Sequence, residues 1–306
     1  AYSVIFFTTS SGAGYGLLAL LGTLNLTGLM PDGRWFGLLS LGLSLCLISA
    51  GLVSSTLHLG RPERSWRALS QWRSSWLSRE GIVAVFTFLP AVIFGIGWIF
   101  SEINTGIFSW FGMLAALSAL LTLYCTSMIY TSLRAIPAWT HMMVTPSYLV
   151  LGLATGALLL DSIIRIYATQ LEILTVFAMG SLSLGWIIKR IYWRSIDQTR
   201  NETTISTATG LGGSVKVLDP PHTGTNYLQQ EMGFRIGRKH SRKLRTVCII
   251  SLFILPIAVG FLLLLKPEVG PVVSIISVIS AALGIVIERW LFFAEAKHVS
   301  SLYYGN

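Results

Sequence analysis

Long apolar runs with few charged residues constrain the fold of this chain more than any other feature. Only 11% of its 306 residues are charged and the mean hydropathy is +0.68, whereas a soluble domain carries roughly 25% charged residues. A membrane-spanning helix needs about 20 consecutive apolar residues, while a spanning β-strand shows alternating segments of about 10. The runs here are continuous. The sequence therefore predicts an all-α polytopic membrane protein, a bundle of eight transmembrane helices.

Turn-forming residues separate the apolar runs and give the predicted span boundaries. Proline interrupts the pattern at Pro31, Pro137, Pro146 and Pro267, where continuing a helix would sacrifice a backbone hydrogen bond. The predicted spans cover residues 4–30, 36–57, 81–100, 107–133, 147–164, 171–188, 246–265 and 269–287. We treat residues 1–306 as a single transmembrane domain, in which 29 glycines allow close helix packing.

Two hydrophilic connections interrupt this pattern, at residues 54–81 and 189–245. The first holds one His, five Arg, three Trp and two Glu. We predict that it forms the mouth of a binding pocket and faces a partner subunit. The second begins with a Ser-, Thr- and Gly-rich stretch and ends in a basic segment. We expect it to bind a soluble partner on the cytoplasmic side; the alternative is a solvated linker.

Lysine and arginine are distributed unequally between the two sides of the predicted bundle. Nineteen lie on the side that holds both termini and residues 54–81, against three on the other; without the longer connection the split is eight against three. Cytoplasmic loops carry the positive excess, so we predict that both termini are cytoplasmic. Membrane side and anionic lipid explain the net charge of +9 better than nucleic acid does. No basic leader of a cleavable signal peptide is evident.

His58 and Glu80 are the candidate catalytic residues, near the two ends of the first connection. An imidazole titrates near neutral pH, and a carboxylate at the membrane border is costly and therefore often functional. Quinone chemistry moves protons together with electrons, so we predict that both side chains exchange protons with a bound quinone. The alternatives are a structural interfacial histidine and a helix N-terminal acid with Ser78 as the cap.

Four further residues complete the predicted quinone pocket: Arg61, Trp76, Trp139 and His141. Arg61 is expected to act electrostatically on the pocket or to bind a partner. Trp76 is expected to stack on a quinone ring, although an aromatic belt at the headgroups is the alternative for the loop tryptophans. A b-type haem between His58 and His141 is disfavoured because both lie at span ends. No zinc-type ligand spacing occurs, so we predict no metal site.

The segment STLHLGRPERSWRALSQWRSSWLSREG at residues 55–81 resembles the membrane anchor subunits of dimethyl-sulfoxide-reductase-type molybdoenzymes. The resemblance implies an eight-helix anchor in the bacterial cytoplasmic membrane with a site for ubiquinone or menaquinone. It also implies an iron–sulfur partner subunit and a catalytic subunit with molybdopterin guanine dinucleotide. In that family the His of the LHLG motif and the Glu that opens the third span are linked to quinol binding. These positions match His58 and Glu80.

Within that family the protein is most similar to the anchors of cytoplasm-facing sulfite dehydrogenases. The similarity lies in AYSVIFFTTSSGAGYG, DPPHTGTNYLQQEMGFRIGRKHSRKLR and ERWLFFAEAKHVSSLYY. It implies that electrons pass from sulfite oxidation, in a partner subunit, to the quinone pool. The anchor itself would then contribute only the quinone-reducing half of the reaction. The alternatives are a quinol-oxidising anchor of a DMSO-type reductase and a secondary transporter.

Overall fold

The described residues form eight helices that are long and apolar enough to cross a membrane. The computed structural model describes residues 2–56, 61–167, 170–198, 204–216, 218 and 234–299, which contain no strand. The membrane helices are α1 (Tyr2–Leu26), α2 (Arg34–Thr56), α3 (Trp76–Phe100), α4 (Ile107–Thr131), α5 (Val144–Ile166), α6 (Glu172–Gln198), α7 (Ser241–Leu265) and α8 (Gly270–Ala294). The predicted fold class and number of spans are confirmed.

Short helices lie between the spans. A 3₁₀-helix covers Pro62–Gln71 before α3, and short α-helices cover Ile205–Thr209 and Arg235–Lys239 between α6 and α7. A last 3₁₀ turn, Pro267–Val269, joins α7 to α8. Inside α7, the stretch Ile249–Ile254 is π-helical and comes just before Pro256, whose missing N–H interrupts the regular hydrogen-bond pattern.

Small residues let α1 approach its neighbours at backbone distance. A methyl group added at Gly16 would lie 1.9 Å from the Gly152 carbonyl oxygen of α5, and one added at Gly22 would lie 2.0 Å from the Gly112 carbonyl oxygen of α4. Van der Waals packing replaces the hydrophobic effect as the main force between helices in a membrane. These contacts make α1 the central helix, packed against α2, α4, α5 and α8.

Successive helices run in opposite directions and define two ends of the bundle. We call face A the end at which the odd-numbered helices begin and the even-numbered helices end, and face B the opposite end. At face A, Ser54 Oγ of α2 donates to the Ser3 carbonyl of α1 at 3.1 Å. At face B, Asn25 Nδ2 donates to the Asn104 carbonyl at 2.6 Å. The described parts of both predicted hydrophilic connections lie at face A.

Four helices extend at least five residues further than the sequence predicted. α6 runs to Gln198 rather than residue 188, and α8 runs to Ala294 rather than residue 287. α3 begins at Trp76 rather than residue 81, and α7 begins at Ser241 rather than residue 246. The predicted spans stopped at the first charged residue on each side. The helices continue because those charged side chains are paired with one another or lie at the membrane border.

Candidate functional site

Glu80 lies buried on the second turn of α3, with 4% of its surface exposed. The helix begins after Ser75, whose backbone is extended and whose hydroxyl accepts a hydrogen bond from the Ser78 N–H at 3.4 Å. The proposed Ser78 cap was therefore wrong: Ser78 is already helical, and its hydroxyl donates to the Ala68 carbonyl of the preceding 3₁₀-helix. These contacts position the carboxyl of Glu80 inside the bundle, close to face A.

Thr126 of α4 is the hydrogen-bond partner of Glu80. Its hydroxyl donates to Glu80 Oε1 and also lies 3.0 Å from the Thr122 carbonyl oxygen. Because a hydroxyl carries one proton, an ionised Glu80 competes with Thr122 for it. A protonated Glu80 removes this competition by donating to Thr126 while Thr126 donates to Thr122. The geometry therefore accommodates a carboxyl group that binds and releases a proton.

Aromatic and basic residues surround the start of α3. Trp76 is half-buried and edge-on to Tyr124 of α4, with ring centroids 5.9 Å apart, and the Arg79 guanidinium lies 4.3 Å from the Trp76 ring centroid. Arg61 is exposed at the start of the 3₁₀-helix. His58 lies outside the described residues, so its place in the pocket stays a prediction.

Trp139 belongs to an aromatic cluster at face A. Its indole Nε1 donates to the Phe292 carbonyl of α8 at 3.1 Å, and its ring lies 5.8 Å from the Phe292 ring and 5.4 Å from the Tyr130 ring. Tyr130 lies one helical turn beyond Thr126 on α4. Helix α4 therefore connects this cluster with Glu80.

His141 is half-buried on the same connection between α4 and α5. Its Nδ1 accepts a hydrogen bond from the Met143 N–H at 3.1 Å, and its ring is edge-on to Tyr192 of α6, with centroids 5.6 Å apart. Burial, and to a smaller extent the Lys189 ammonium, lower the pKa of His141 below its usual 6.5. His141 thus faces α6, so face A carries two groups of predicted residues, one around α3 and one around α6.

A buried ionic cluster in α6 and α8 was not predicted from the sequence. Lys189 Nζ lies 2.6 Å from Glu288 Oε1, and Arg289 Nη1 lies 3.1 Å from Glu288 Oε2. All three side chains are at most 3% exposed. Lys189 and Arg289 had been counted as charges of a loop and of the tail; both lie inside helices. One sequence feature indicated that the helices continue: apolar and aromatic residues follow Lys189 in RIYW and follow Arg289 in RWLFFA.

A second buried ion pair lies near face B. Arg165 Nε contacts Asp161 Oδ2 at 2.9 Å, and Thr175 of α6 donates to Asp161 Oδ1 at 2.7 Å. The predicted fifth span ended at residue 164, but Arg165 belongs to the last turn of α5 and is 4% exposed. This pair ties α5 to α6 far from Glu80.

The donor set at face A fits a ligand that takes up protons and lies against an aromatic ring. A buried carboxyl and a threonine hydroxyl face one another beside the half-buried Trp76. Within the described part of the protein, no three His, Cys, Asp or Glu side chains cluster to hold a metal ion. A quinone fits this donor set.

Comparison with known proteins yields one family and two curated relatives. The family model described as DMSO reductase anchor subunit (DmsC) matches residues 1–305. The C subunit of the sulfite dehydrogenase of Allochromatium vinosum is 31% identical over 332 aligned positions, which span 100% of this protein and 98% of the relative. The C subunit of the anaerobic dimethyl sulfoxide reductase of Haemophilus influenzae is 28% identical over 141 positions, 44% of this protein and 50% of the relative. No solved structure matches significantly.

Proposed function

The protein belongs to the family of DMSO reductase anchor subunits, and from this premise we propose that it exchanges electrons between its partner subunits and a membrane quinone, ubiquinone or menaquinone. The partners are an iron–sulfur electron-transfer subunit and a catalytic subunit with molybdopterin guanine dinucleotide, as family membership implies. The anchor itself makes no contact with the substrate of its catalytic partner. Its own part in the reaction is the quinone half.

Electrons flow from sulfite to quinone in this proposal. Its support is the similarity to a sulfite dehydrogenase subunit over nearly the full length of both proteins. The alternative, quinol oxidation for a sulfoxide reductase, rests on a match to half of the relative. Assaying the purified complex with sulfite and with dimethyl sulfoxide separates the two directions. A secondary transporter, the third alternative from the sequence, is not proposed.

Face A is the cytoplasmic face in this proposal. Exposed arginines and lysines predominate there, including Arg64, Arg67, Arg134, Arg194 and Lys239, in keeping with the positive-inside rule. Both termini and the partner subunits then lie in the cytoplasm, and the protein belongs to the bacterial inner membrane. The connection at residues 189–245, whose first part up to Gln198 is the end of α6, is proposed to bind the partner subunits.

The buried carboxyl of Glu80, with its Thr126 partner, is the single observation that carries the proposal. When bound, the quinone supplies an acceptor for two electrons and two protons. Glu80 holds a proton at its carboxyl oxygen and releases it, while Thr126 stabilises both protonation states. Trp76 excludes water from the border of the site, and His58 is proposed as the second proton donor. Arg61, Trp139 and His141 remain proposed members of the quinone pocket.

Substitution of the two proton donors tests this function. His58→Ala and Glu80→Gln should each lower sulfite-dependent quinone reduction by about 100-fold or more, since general acid–base groups contribute roughly that much. Electron transfer from sulfite to a soluble artificial acceptor should stay at the wild-type rate, because that reaction bypasses the membrane site. The measurement is the initial rate of both reactions in the intact purified complex.

The matched control is Asp161→Asn, which alters a buried carboxyl at the other end of the bundle. The assembled Asp161→Asn complex should reduce quinone at close to the wild-type rate. If Glu80→Gln reduces quinone at the wild-type rate, the assigned site is wrong.

A further inference from the structure

The buried ionic cluster of Lys189, Glu288 and Arg289 has no part in the site described above. Its three charges lie inside the membrane helices α6 and α8, within the last three turns before face A, and sum to one positive charge. Burying such groups costs several kcal/mol per ion unless they are fully paired. Ionisable residues inside a membrane protein therefore indicate function, with proton relays among the known roles.

The cluster reaches the surface at face A through a second group of charges. Arg245 of α7 contacts two carboxylates. Its Nη1 lies 2.6 Å from Asp197 Oδ2 at the end of α6, and its Nε lies 2.7 Å from Glu295 Oε1 just after α8. The Asp197 side chain is 58% exposed, so this group opens to solvent. Glu295 lies within electrostatic range of Lys189, and burial raises the Glu295 pKa above its usual 4.5.

Towards Glu80, the cluster continues through two tyrosines. The Arg289 guanidinium lies 3.7 Å from the ring centroid of Tyr148 on α5, and the Tyr148 ring stacks on Tyr130 of α4 at 5.7 Å. Tyr130 is one helical turn from Thr126, the partner of Glu80. Charged and hydroxyl side chains thus form a series, with gaps between some neighbours, from the surface to the proposed quinone site.

One void beside the cluster is large enough for water. It is lined by Tyr148 and Arg289 among others and has room for about one water molecule. The Ser147 and Tyr192 hydroxyls are buried without a hydrogen-bond partner, and the space that they line with Glu288 is too small for water. A water molecule in the larger void would lie beside Arg289 and Tyr148, in the part of the series that leads towards Glu80.

We propose that the Lys189–Glu288–Arg289 cluster is a proton relay that supplies Glu80 from face A. Lys189 and Glu288 exchange a proton across their 2.6 Å contact, while Arg289 keeps its charge and orients Tyr148. Each proton that Glu80 gives up is replaced through Tyr148 and Thr126, and a proton enters at Asp197 or Glu295. The relay carries no electrons, because both electrons per quinone come from the iron–sulfur partner.

This inference rests on the proposed quinone site. The titratable groups that face Glu288 are Lys189 and Tyr192 on α6, Tyr148 on α5, Cys248 on α7 and Arg289 on its own helix.

Three variants test the relay in the intact complex: Glu288→Gln, the double variant Lys189→Met with Glu288→Met, and Tyr148→Phe. The double variant keeps the net charge of the cluster and replaces both partners of the Lys189–Glu288 pair. Because it leaves Arg289 without its carboxylate, rates are compared per assembled complex. Each variant should reduce quinone at least tenfold more slowly than wild type, and the ratio of rates in H₂O and D₂O should rise. Electron transfer to a soluble acceptor should be unchanged.

The control is the double variant Asp161→Leu with Arg165→Leu, which removes the face B ion pair and should keep the wild-type isotope ratio. If the assembled Lys189/Glu288 double variant reduces quinone at the wild-type rate, the cluster is only structural. If slower variants keep the wild-type isotope ratio, the relay is likewise overturned. Glu80→Gln separates the two proposals. If Glu80→Gln is inactive and a relay variant is fully active, only the relay is overturned. If Glu80→Gln is fully active, the quinone site is overturned.

Discussion

At the scale of single residues, the Thr126 hydroxyl sets the hydrogen bonding of Glu80. It lies between a carboxyl and a backbone carbonyl, and its single proton serves only one of them at a time. Proton uptake by Glu80 therefore completes this local network, and proton release leaves one acceptor without a donor. Such a site moves between two states of similar geometry, as a proton donor to a ligand must.

Thr126→Val tests this role of the hydroxyl. It removes the hydrogen bond and leaves the shape of the side chain nearly unchanged, so quinone reduction should fall by about tenfold, the order expected for a bond to a charged group. Thr126→Ser keeps the hydroxyl and should retain most of the rate. The two variants are compared by quinone reduction and by the assembled fraction of the complex. Equal rates for the Val and Ser variants would contradict the role.

His141 gives a prediction about pH. Burial lowers its pKa below 6.5 in the folded protein, so below about pH 6.5 the unfolded protein binds more protons at this position than the folded protein does. The free energy of unfolding should therefore decrease as the pH falls from about 6.5. His141→Gln should weaken this acid sensitivity, measured as the difference in Tm between about pH 7.5 and pH 5.5 in detergent.

The exposed His240→Gln is the control for this measurement and should keep the wild-type sensitivity. An identical Tm difference for His141→Gln and wild type would show that His141 does not contribute.

At the scale of the helices, glycine backbone contacts hold α1 in the centre of the bundle. The added methyl group at Gly16 would overlap the Gly152 carbonyl of α5, whereas one at Gly12, a turn earlier, has no atom within 4 Å. Backbone atoms of a packed helix cannot yield as a flexible side chain does. The two positions therefore differ in packing although both lie on α1.

Gly16→Ala should accordingly destabilise the protein by about 1–3 kcal/mol or prevent its assembly, since it overpacks a tight contact. Gly12→Ala should be nearly neutral. Thermal unfolding of the two purified variants in the same detergent makes the comparison. If both variants unfold at the wild-type temperature, α1 and α5 are not in backbone contact.

At the scale of the whole molecule, the sequence predicted the number of spans and the placement of the described candidate residues, Arg61, Trp76, Glu80, Trp139 and His141, at one face. Apolar length decides where a helix crosses a membrane, and alternation of direction then assigns each connection to a face. Glu80 could be singled out because a carboxyl at the end of an apolar run stands out in the sequence.

The ionic cluster could not be predicted in this way. Whether Lys189 lies inside a span depends on Glu288, which is distant in sequence, and hydropathy considers only sequence neighbours. Thr126 carried no signal either, because a threonine within an apolar run looks the same whether or not it binds a carboxyl. The split of the predicted pocket residues between α3 and α6 likewise depends on helix packing.

Cross-linking of a quinone analogue tests directly whether the quinone site lies beside Glu80. The intact complex is illuminated with a photoreactive quinone analogue, with and without excess natural quinone, and the labelled peptides are identified by mass spectrometry. We expect labelling at the start of α3, around Trp76 and Glu80, and at the end of α4, near Thr126, and we expect excess natural quinone to suppress it. Labelling confined to face B, around Asp161 and Thr175, or labelling that natural quinone does not suppress, would contradict it.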